Sequence, residues 1–179
     1  KINVKTFFQT NSEQAYELYK IIRDFAELKG KEVVYDLYTG TGTIAQFIAH
    51  KCDKVIGIDI VKESISAAKT NSKNNDIKNA IFEYGDIKKL FNELFIKKHG
   101  SPDIIITDPP RSGMHKDVVK QILSIKPNKI IYVSCNSSTQ ARDLSYLYSS
   151  YKMSRCRAVD MFPHTNHIEN VVLLENNER

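Results

Sequence analysis

A cysteine at the end of an apolar run has the clearest chemical potential in this chain. Cys135 follows the run 130–134 (IIYVS), which predicts a buried strand, and precedes the polar stretch 136–139, which predicts a helix start. A thiolate is a strong nucleophile, and a helix start favours it through the helix dipole and free backbone N–H groups. Many cysteines are inert core residues, but the position at a strand end favours a nucleophile here.

A rigid acidic loop closes a second apolar run. Asp108-Pro109-Pro110-Arg111 follows 103–107, and two successive prolines fix the backbone and remove two donors. Ligands of open α/β sheets bind at the carboxyl ends of the strands. We therefore expect Asp108 and Cys135 to lie at the same edge, although a stiff turn with a capping Asp is the simpler interpretation of the motif.

A glycine-rich turn at 36–42 (DLYTGTG) lies between a predicted strand and a predicted helix. Gly40 and Gly42 allow a tight turn and a close approach of a ligand to the backbone. Asp59 ends the next predicted strand, 23 residues after Asp36. A carboxylate there can accept hydrogen bonds from ribose hydroxyls, or it can cap the following helix.

Two cofactor classes compete for this turn. A dinucleotide site has the pattern G-x-G-x-x-G, and Ala45 occupies its third position, which the looser form tolerates. The acid at Asp36 is outside that pattern, whereas D-x-x-x-G-x-G resembles motif I of the class I methyltransferases, which use S-adenosylmethionine. In those enzymes an acid after the third strand contacts the adenine end, and Asp86 occupies that position.

A third polar cluster, His164-Thr165-Asn166-His167-Ile168-Glu169, lies between the last two predicted strands. Two histidines and a glutamate suggest a metal, but no third strong ligand is spaced nearby. We therefore predict no metal site, and we interpret Glu169 as an acid or base brought to the strand-end site, with a solvated loop carboxylate as the alternative.

The elements that position these residues alternate along the chain. Strands are predicted at 33–37, 54–59, 80–84, 103–107, 129–134, 151–160 and 167–175, and helices at 12–29, 44–49, 62–73, 87–97, 115–124 and 138–148. Apolar strands alternating with helices indicate a parallel sheet covered on both faces. The last two strands have no helix between them and are predicted to be antiparallel. We expect one doubly wound α/β domain over 1–179, with a seven-stranded, mostly parallel sheet and an antiparallel final strand.

The charge balance, the cysteines and the apolar runs indicate which kinds of partner and environment suit this chain. The 179 residues include 26 Lys and Arg against 21 Asp and Glu, a net charge of +5, which suits RNA or DNA as well as a lysine-rich surface without such a role. Three cysteines without C-x-x-C spacing indicate reduced thiols in a cytoplasmic protein. No apolar run approaches the roughly 20 residues of a membrane span.

Taken together, the motifs resemble the RNA uracil-5 methyltransferases. The resemblance is carried by YVSCN (132–136), ARD (141–143), DPPRSG (108–113), DMFPHT-x-HIE (160–169) and FFQTN (7–11), and it covers the whole chain. It implies methylation of C5 of a uridine in RNA. Thr43 stands where some members have Asn, and Ser137 where Pro commonly follows the Cys-Asn pair.

The resemblance also implies a role for each site residue. Cys135 adds to uracil C6, and Glu169 removes the C5 proton so that the thiolate can leave. S-adenosylmethionine is the implied cofactor, leaving as S-adenosylhomocysteine, and the implied cofactor-binding residues are Gln9, Tyr38, Gly40, Gly42, Thr43, Asp59, Asp86 and Asp108. The uridine must leave its stack to reach the site, so base flipping is expected.

Members of this family usually also carry an N-terminal RNA-binding β-barrel, so we expect this chain to be a catalytic fragment and a monomer. Ribosomal RNA is favoured over transfer RNA as the substrate. A cytosine-5 methyltransferase is one alternative, although the Pro-Cys pair typical of those enzymes is absent. A non-catalytic RNA-binding domain with the same fold is the other. Arg111 stands where amino-group methyltransferases have an aromatic residue, which argues against methylation of an exocyclic amine.

Overall fold

Strands alternate with helices from the first strand to the seventh helix, as the periodicity predicts, except that two short helices replace one between the third and fourth strands. A computed structural model describes residues 11–165 and 168–178. Its strands are Val33–Leu37 (β1), Lys54–Asp59 (β2), Ala80–Tyr84 (β3), Ile104–Thr107 (β4), Lys129–Ser134 (β5), Tyr151–Asp160 (β6) and Ile168–Asn176 (β7). Its helices are Ser12–Ala26 (α1), Thr43–Ile48 (α2), Lys62–Asn74 (α3), Ile87–Leu90 (α4), Glu93–His99 (α5), Lys116–Ile125 (α6) and Ser137–Leu147 (α7), with a 3-10 turn at Ala49–Lys51.

The seven strands form one sheet in the order β3-β2-β1-β4-β5-β7-β6. The pairs β1–β2, β2–β3, β1–β4 and β4–β5 are parallel, whereas β7 runs antiparallel to both β5 and β6. The predicted fold class is therefore confirmed. Because the winding direction reverses between the neighbours β1 and β4, the sheet opens a crevice at their carboxyl ends.

Each face of the sheet is covered by its own layer of helices. Along β1, Val34 belongs to the core cluster that includes residues of α1, α2 and α3, and the next residue, Tyr35, belongs to the cluster that includes residues of α5, α6 and α7. This alternation follows from the two-residue period of a strand. Strands that are apolar on both faces are the reason that the sequence predicts a parallel sheet with two helical layers.

The single helix predicted over 87–97 is wrong, because Phe91 and Asn92 divide it into α4 and α5. The side chain of Phe91 is completely buried, which turns the backbone out of the helix. Asn92 then closes one helix and starts the next: its Nδ2 donates to Lys89 O at 2.7 Å, and its Oδ1 accepts from Phe95 N at 3.1 Å. An Asn inside a weak helical pattern was the available signal for this break.

Helix α1 also differs from its prediction at both ends. Asn11, rather than Ser12, is the N-cap and accepts from Gln14 N. The helix ends at Ala26 instead of 29, because Glu27 adopts a left-handed conformation with φ 49°. Its carboxylate pairs with two distant side chains, Lys129 and Arg155, which no local pattern reveals.

Among the helices in the described ranges, none combines the length and the apolar character that crossing a membrane requires.

Candidate active site

The carboxyl edge of the sheet collects the polar residues that the sequence singles out. Asp108 and Cys135 directly follow β4 and β5, and Glu169 is the second residue of β7, which starts at this edge because it runs antiparallel. In the ladder, Asn170 lies opposite Ser134, so Glu169 and Cys135 extend beyond the same residue pair. The negative charge of Glu169 is close enough to raise the pKa of both Cys135 and Asp108.

The thiol of Cys135 is not activated by its helix as the sequence predicts. Burial is the largest cause that raises its pKa, and the charge of Glu169 raises it further. Cys135 precedes the N-cap of α7, and the N-cap residue Asn136 uses its own Oδ1 to accept from Ser138 N and Thr139 N. These N–H groups are therefore directed at the cap and not at the sulfur, so the expectation of a helix-stabilised thiolate is wrong.

Arg111 supplies the positive charge that the helix does not. Its side chain hydrogen-bonds to the Cys135 thiol and lowers the pKa of that thiol, and its charge also lowers the pKa of Glu169. The loop that carries it is fastened to α7, since its carbonyl oxygen accepts from Asn136 Nδ2 at 3.1 Å and from Thr139 Oγ1 at 3.0 Å. The contact between Arg111 and the thiol was not predicted from the sequence, although the adjacent rigid Pro-Pro pair was a signal that this loop is held in place.

Glu169 presents an oxygen without a partner. Its Oε2 is buried and has no hydrogen-bond partner among the described residues. Burial raises its pKa, and the charge of Arg111 opposes that effect. A buried polar atom normally has a partner, so an orphan at a strand-end crevice indicates a group that meets a ligand.

Two buried carboxyl groups, those of Asp36 and Asp108, interact with each other at this edge, and Asp108 also interacts with Glu169. Burial raises the pKa of Asp36 to about 7 while Thr39 Oγ1 donates to it at 2.5 Å. Burial, then Glu169 and Asp36, raise the pKa of Asp108 to about 8. Acids held close together repel one another when ionised, and a cation bound among them relieves that repulsion.

The glycine turn is tied to the end of β2 by Asp59. The carboxylate accepts from Gly40 N and from Val61 N, each at 2.8 Å, so it supports both the turn and the start of α3. Gly40 faces open space, whereas a Cβ on Gly42 would lie 2.6 Å from the ring of Phe82. Gly40 thus leaves room for a ligand, and Gly42 is required by packing and by its φ of 75°.

The remaining predicted cofactor residues have structural partners. The hydroxyl of Tyr38 accepts from the backbone N–H of His115, while burial raises the pKa of Tyr38 to about 12. Thr43 Oγ1 accepts from Tyr19 Oη at 3.3 Å. Asp86 is the N-cap of α4 and accepts from Lys88 N at 3.1 Å. Gln9 lies outside the described residues.

Two large apolar side chains at this edge were missed by the sequence analysis. Ile60, directly after Asp59, is 61% exposed, and Tyr84, two residues before Asp86, is 54% exposed. Exposed apolar side chains next to two carboxylates are typical of a site for a flat, partly apolar ligand, which would cover surface that is otherwise exposed to water. The signal available was their position directly beside the two acids.

Within the described ranges, no group of three or more His, Cys, Asp and Glu side chains is arranged to hold a metal ion. His164 is exposed, and His167 lies outside these ranges.

The ARD segment (141–143) in α7 forms hydrogen bonds with the loop that follows Asp108. Asp143 is buried, and its Oδ2 accepts from Met114 N at 2.7 Å and from Tyr132 Oη at 2.6 Å. Arg142 pairs with Asp143 Oδ1 and donates to Ser112 O at 2.9 Å. The segment that carries Asp108 and Arg111 is therefore clamped to the helix that follows Cys135.

Asp143→Ala is expected to lower the free energy of unfolding by about 3 kcal/mol, because it leaves two buried donors, Met114 N–H and Tyr132 O–H, without an acceptor. Urea unfolding measures this. Asp24→Ala is the matched control, because Asp24 also follows an arginine in a helix but is 68% exposed. It should change the free energy of unfolding by less than about 0.5 kcal/mol. Equal effects of the two substitutions would contradict the clamp.

Comparisons with known proteins place the chain in a family and match its fold. The sequence profile of the family described as tRNA (Uracil-5-)-methyltransferase matches residues 1–177. An uncharacterized RNA methyltransferase of Bacteroides thetaiotaomicron is 61% identical over 98% of this chain, and one of Porphyromonas gingivalis is 56% identical over 99%. The chain spans 38% of the length of each of these two relatives.

A solved structure extends the similarity to the fold. The Pyrococcus abyssi tRNA (uracil-54, C5)-methyltransferase, in complex with S-adenosyl-L-homocysteine, superposes with a TM-score of 0.84 at 36% identity. The match covers 97% of this chain and 41% of that one. An rRNA methylase of Streptococcus thermophilus superposes with a TM-score of 0.69 at 15% identity, a similarity of fold alone.

Proposed function

Since the chain belongs to the tRNA (uracil-5-)-methyltransferase family, we propose that it is the catalytic domain of an enzyme that methylates C5 of a uridine in RNA. The observation that carries the proposal is the arrangement at the carboxyl edge. A thiol, a guanidinium hydrogen-bonded to it and a carboxylate with an unpartnered oxygen lie within electrostatic reach of one another. The thiol and the carboxylate are the nucleophile and the base that methylation of uracil C5 requires, and the guanidinium stabilises the thiolate.

Uracil C5 is a weak nucleophile, and covalent addition at C6 activates it. The Cys135 thiol gives its proton to water, and the thiolate forms a bond to C6 while the C5=C6 electron pair moves towards C5 and O4. Arg111 stabilises the thiolate before the attack. Carbon C5 then carries the electron pair that takes up the methyl group.

The final step returns the enzyme to its starting state. The carboxylate of Glu169 removes the proton from C5, the C–H electron pair re-forms C5=C6, and the C6–S bond breaks to release the thiolate. Its raised pKa suits this task, since a carboxylate of higher pKa is a stronger base. The C5 proton is transferred to Glu169, and the added methyl group stays on C5 of the uracil.

S-adenosylmethionine, when bound, supplies the methyl group from its sulfonium and becomes S-adenosylhomocysteine. The described residues fit it. Asp59 uses each carboxylate oxygen once, and an ionised carboxylate has further acceptor sites for ribose hydroxyls. The turn at Gly40 is open, and the exposed side chain of Ile60 fits one face of the adenine. Asp108 offers a buried acid to the cationic amino acid end.

The other assignments in the cofactor site are proposals too: Tyr38, Gly42, Thr43 and Asp86, with Gln9 reaching in from outside the described residues. The uridine is flipped out of its stack to reach Cys135. Ribosomal RNA remains the predicted substrate ahead of transfer RNA, and the experiment below should be done with each of the two RNAs.

A trapping experiment tests the function. The full chain, given S-adenosylmethionine and RNA containing 5-fluorouridine, should form a protein–RNA adduct that survives denaturation, because fluorine at C5 cannot leave as a proton does. Ordinary RNA labelled with tritium at uridine C5 should release tritium to water as methyl groups are added.

RNA containing 5-fluorocytidine is the matched control and should give no adduct. An adduct with fluorocytidine alone would indicate a cytosine-5 methyltransferase. RNA binding without methyl transfer or adduct would indicate a non-catalytic domain.

A further inference from the structure

A glutamine in α7 joins the two strands that carry Cys135 and Glu169. Gln140 is buried, with 2% of its surface exposed. Its Nε2 donates to Tyr132 O at 3.0 Å on β5 and to Asn170 O at 3.2 Å on β7. Its Oε1 accepts from Asn170 Nδ2 at 2.7 Å. The side chain therefore holds both strands close to the edge where the candidate active site lies.

Only an amide of this length can make these three contacts. The contacts need a donor on one atom and an acceptor on the other, and the side chain of glutamine supplies both. The site is buried, so water does not replace a lost contact. The bracing role follows from the tertiary arrangement, since Gln140 and Asn170 are 30 residues apart.

Gln140 acts closer to Glu169 than to Cys135, because Asn170 is the neighbour of Glu169 whereas Tyr132 lies three residues before Cys135. The Oε2 of Glu169 has no hydrogen-bond partner among the described residues, so no hydrogen bond within that part of the chain orients this oxygen. Glu169 lies next to the first residue of β7, and the ends of elements open more readily than their centres. The backbone of Glu169 is paired with Val159 of β6, and its neighbour Asn170 is held by the buried side chain of Gln140 through both its carbonyl oxygen and its side chain.

We propose that Gln140 is a positioning residue that holds Glu169 at the C5 proton by bracing Asn170. This inference rests on the proposed function. It assigns Gln140 to one half-reaction: removal of the C5 proton needs Glu169 in place, whereas addition of Cys135 to C6 does not. A base displaced by about 1 Å can lose on the order of 100-fold in rate.

The experiment compares two substrates with the full chain carrying Gln140→Met, which keeps the length and volume of the side chain but removes its donor and acceptor. With 5-fluorouridine RNA the reaction stops before proton removal, so the rate and yield of adduct should stay within about threefold of wild type. With ordinary uridine RNA, tritium release should slow by roughly ten- to a hundredfold. The adduct yield also measures the fraction of the variant protein that is folded and able to add to C6.

Gln121→Met is the matched control, since Gln121 lies in α6 and donates to Lys88 O; both rates should stay near wild type. Where Gln140→Met does not fold, Asn170→Leu removes the hydrogen bond to Gln140 Oε1 from the other partner, together with the exposed contact from Cys156 Sγ, and should give the same split between substrates.

Equal losses of adduct formation and tritium release in the Gln140 variant, or no loss in either, would overturn the proposal. The proposed function fails separately: in that case the wild-type chain itself forms no adduct and releases no tritium.

Discussion

Replacing Cys135 with alanine should abolish methyl transfer to uridine, with a loss of at least about 10⁴-fold. No other described thiol lies at the carboxyl edge of the parallel strands: Cys52 is buried between the 3-10 turn and β2, at the opposite edge, and Cys156 lies on the edge strand β6. Without addition at C6, carbon C5 has too little electron density to take a methyl group. Methyl transfer from labelled S-adenosylmethionine to RNA measures the loss.

The same variant should still bind the cofactor, because the hydrogen bonds that Asp59 accepts from Gly40 N and Val61 N do not involve the thiol. Isothermal titration with S-adenosylhomocysteine measures this binding. Cys52→Ala is the matched control and should keep full transfer. Methylation of uridine by Cys135→Ala at more than a few per cent of the wild-type rate would show that the covalent mechanism is wrong.

Replacing Glu169 with glutamine should stop the reaction after a single methyl transfer. The amide keeps the size of the side chain but cannot accept the C5 proton, so the methylated adduct cannot eliminate the thiolate. Turnover should fall by about 10²- to 10⁴-fold, the usual contribution of a general base. Denaturing gels should show a methylated protein–RNA adduct, in an amount close to that of the enzyme.

Stability should change in the opposite direction from activity. The folded pKa of Glu169 is raised, with burial as the largest cause, so its contribution to stability is present at low pH and is lost as the pH rises through the folded value. At neutral pH the neutral glutamine avoids that cost, and urea unfolding should find Glu169→Gln at least as stable as wild type. In the wild type, proton removal should fail below the raised pKa of Glu169, at a higher pH than for an ordinary glutamate.

Glu175→Gln is the matched control, since Glu175 lies near the other end of β7, opposite Lys152. It should keep turnover and accumulate no adduct. Normal turnover by Glu169→Gln, or a loss of adduct formation instead of adduct release, would assign the base to another group.

Much of the site could be predicted because strand ends are visible in the sequence. The apolar runs before Asp108 and Cys135 mark two parallel strands, and parallel strands that share a sheet end at one edge. The position of Glu169 at that edge requires only that the last strand is antiparallel. Chemistry-bearing residues at strand ends are therefore positioned by local patterns and by topology.

The contacts that tune these residues were not predictable in the same way. Arg111 meets a thiol 24 positions away, and Asp143 accepts from Met114 N, 29 positions away. Whether a charge is buried depends on which residues pack over it. For the same reason the raised pKa of the Cys135 thiol, for which burial is the largest cause, was not predicted. The helix division at Asn92 has the same origin, since the burial of Phe91 overrides a weak helical pattern.

The sequence alone predicted the fold class, most of the order of elements and the residue types proposed to carry the chemistry, because apolar periodicity and residue type are local properties. Only the tertiary structure decided how those residues act on one another. It made the Cys135 thiol depend on Arg111, left an oxygen of Glu169 without a partner, and placed Gln140 between β5 and β7. Burial, charge and hydrogen bonds between distant segments exist only once the chain has folded, so no local pattern encodes them.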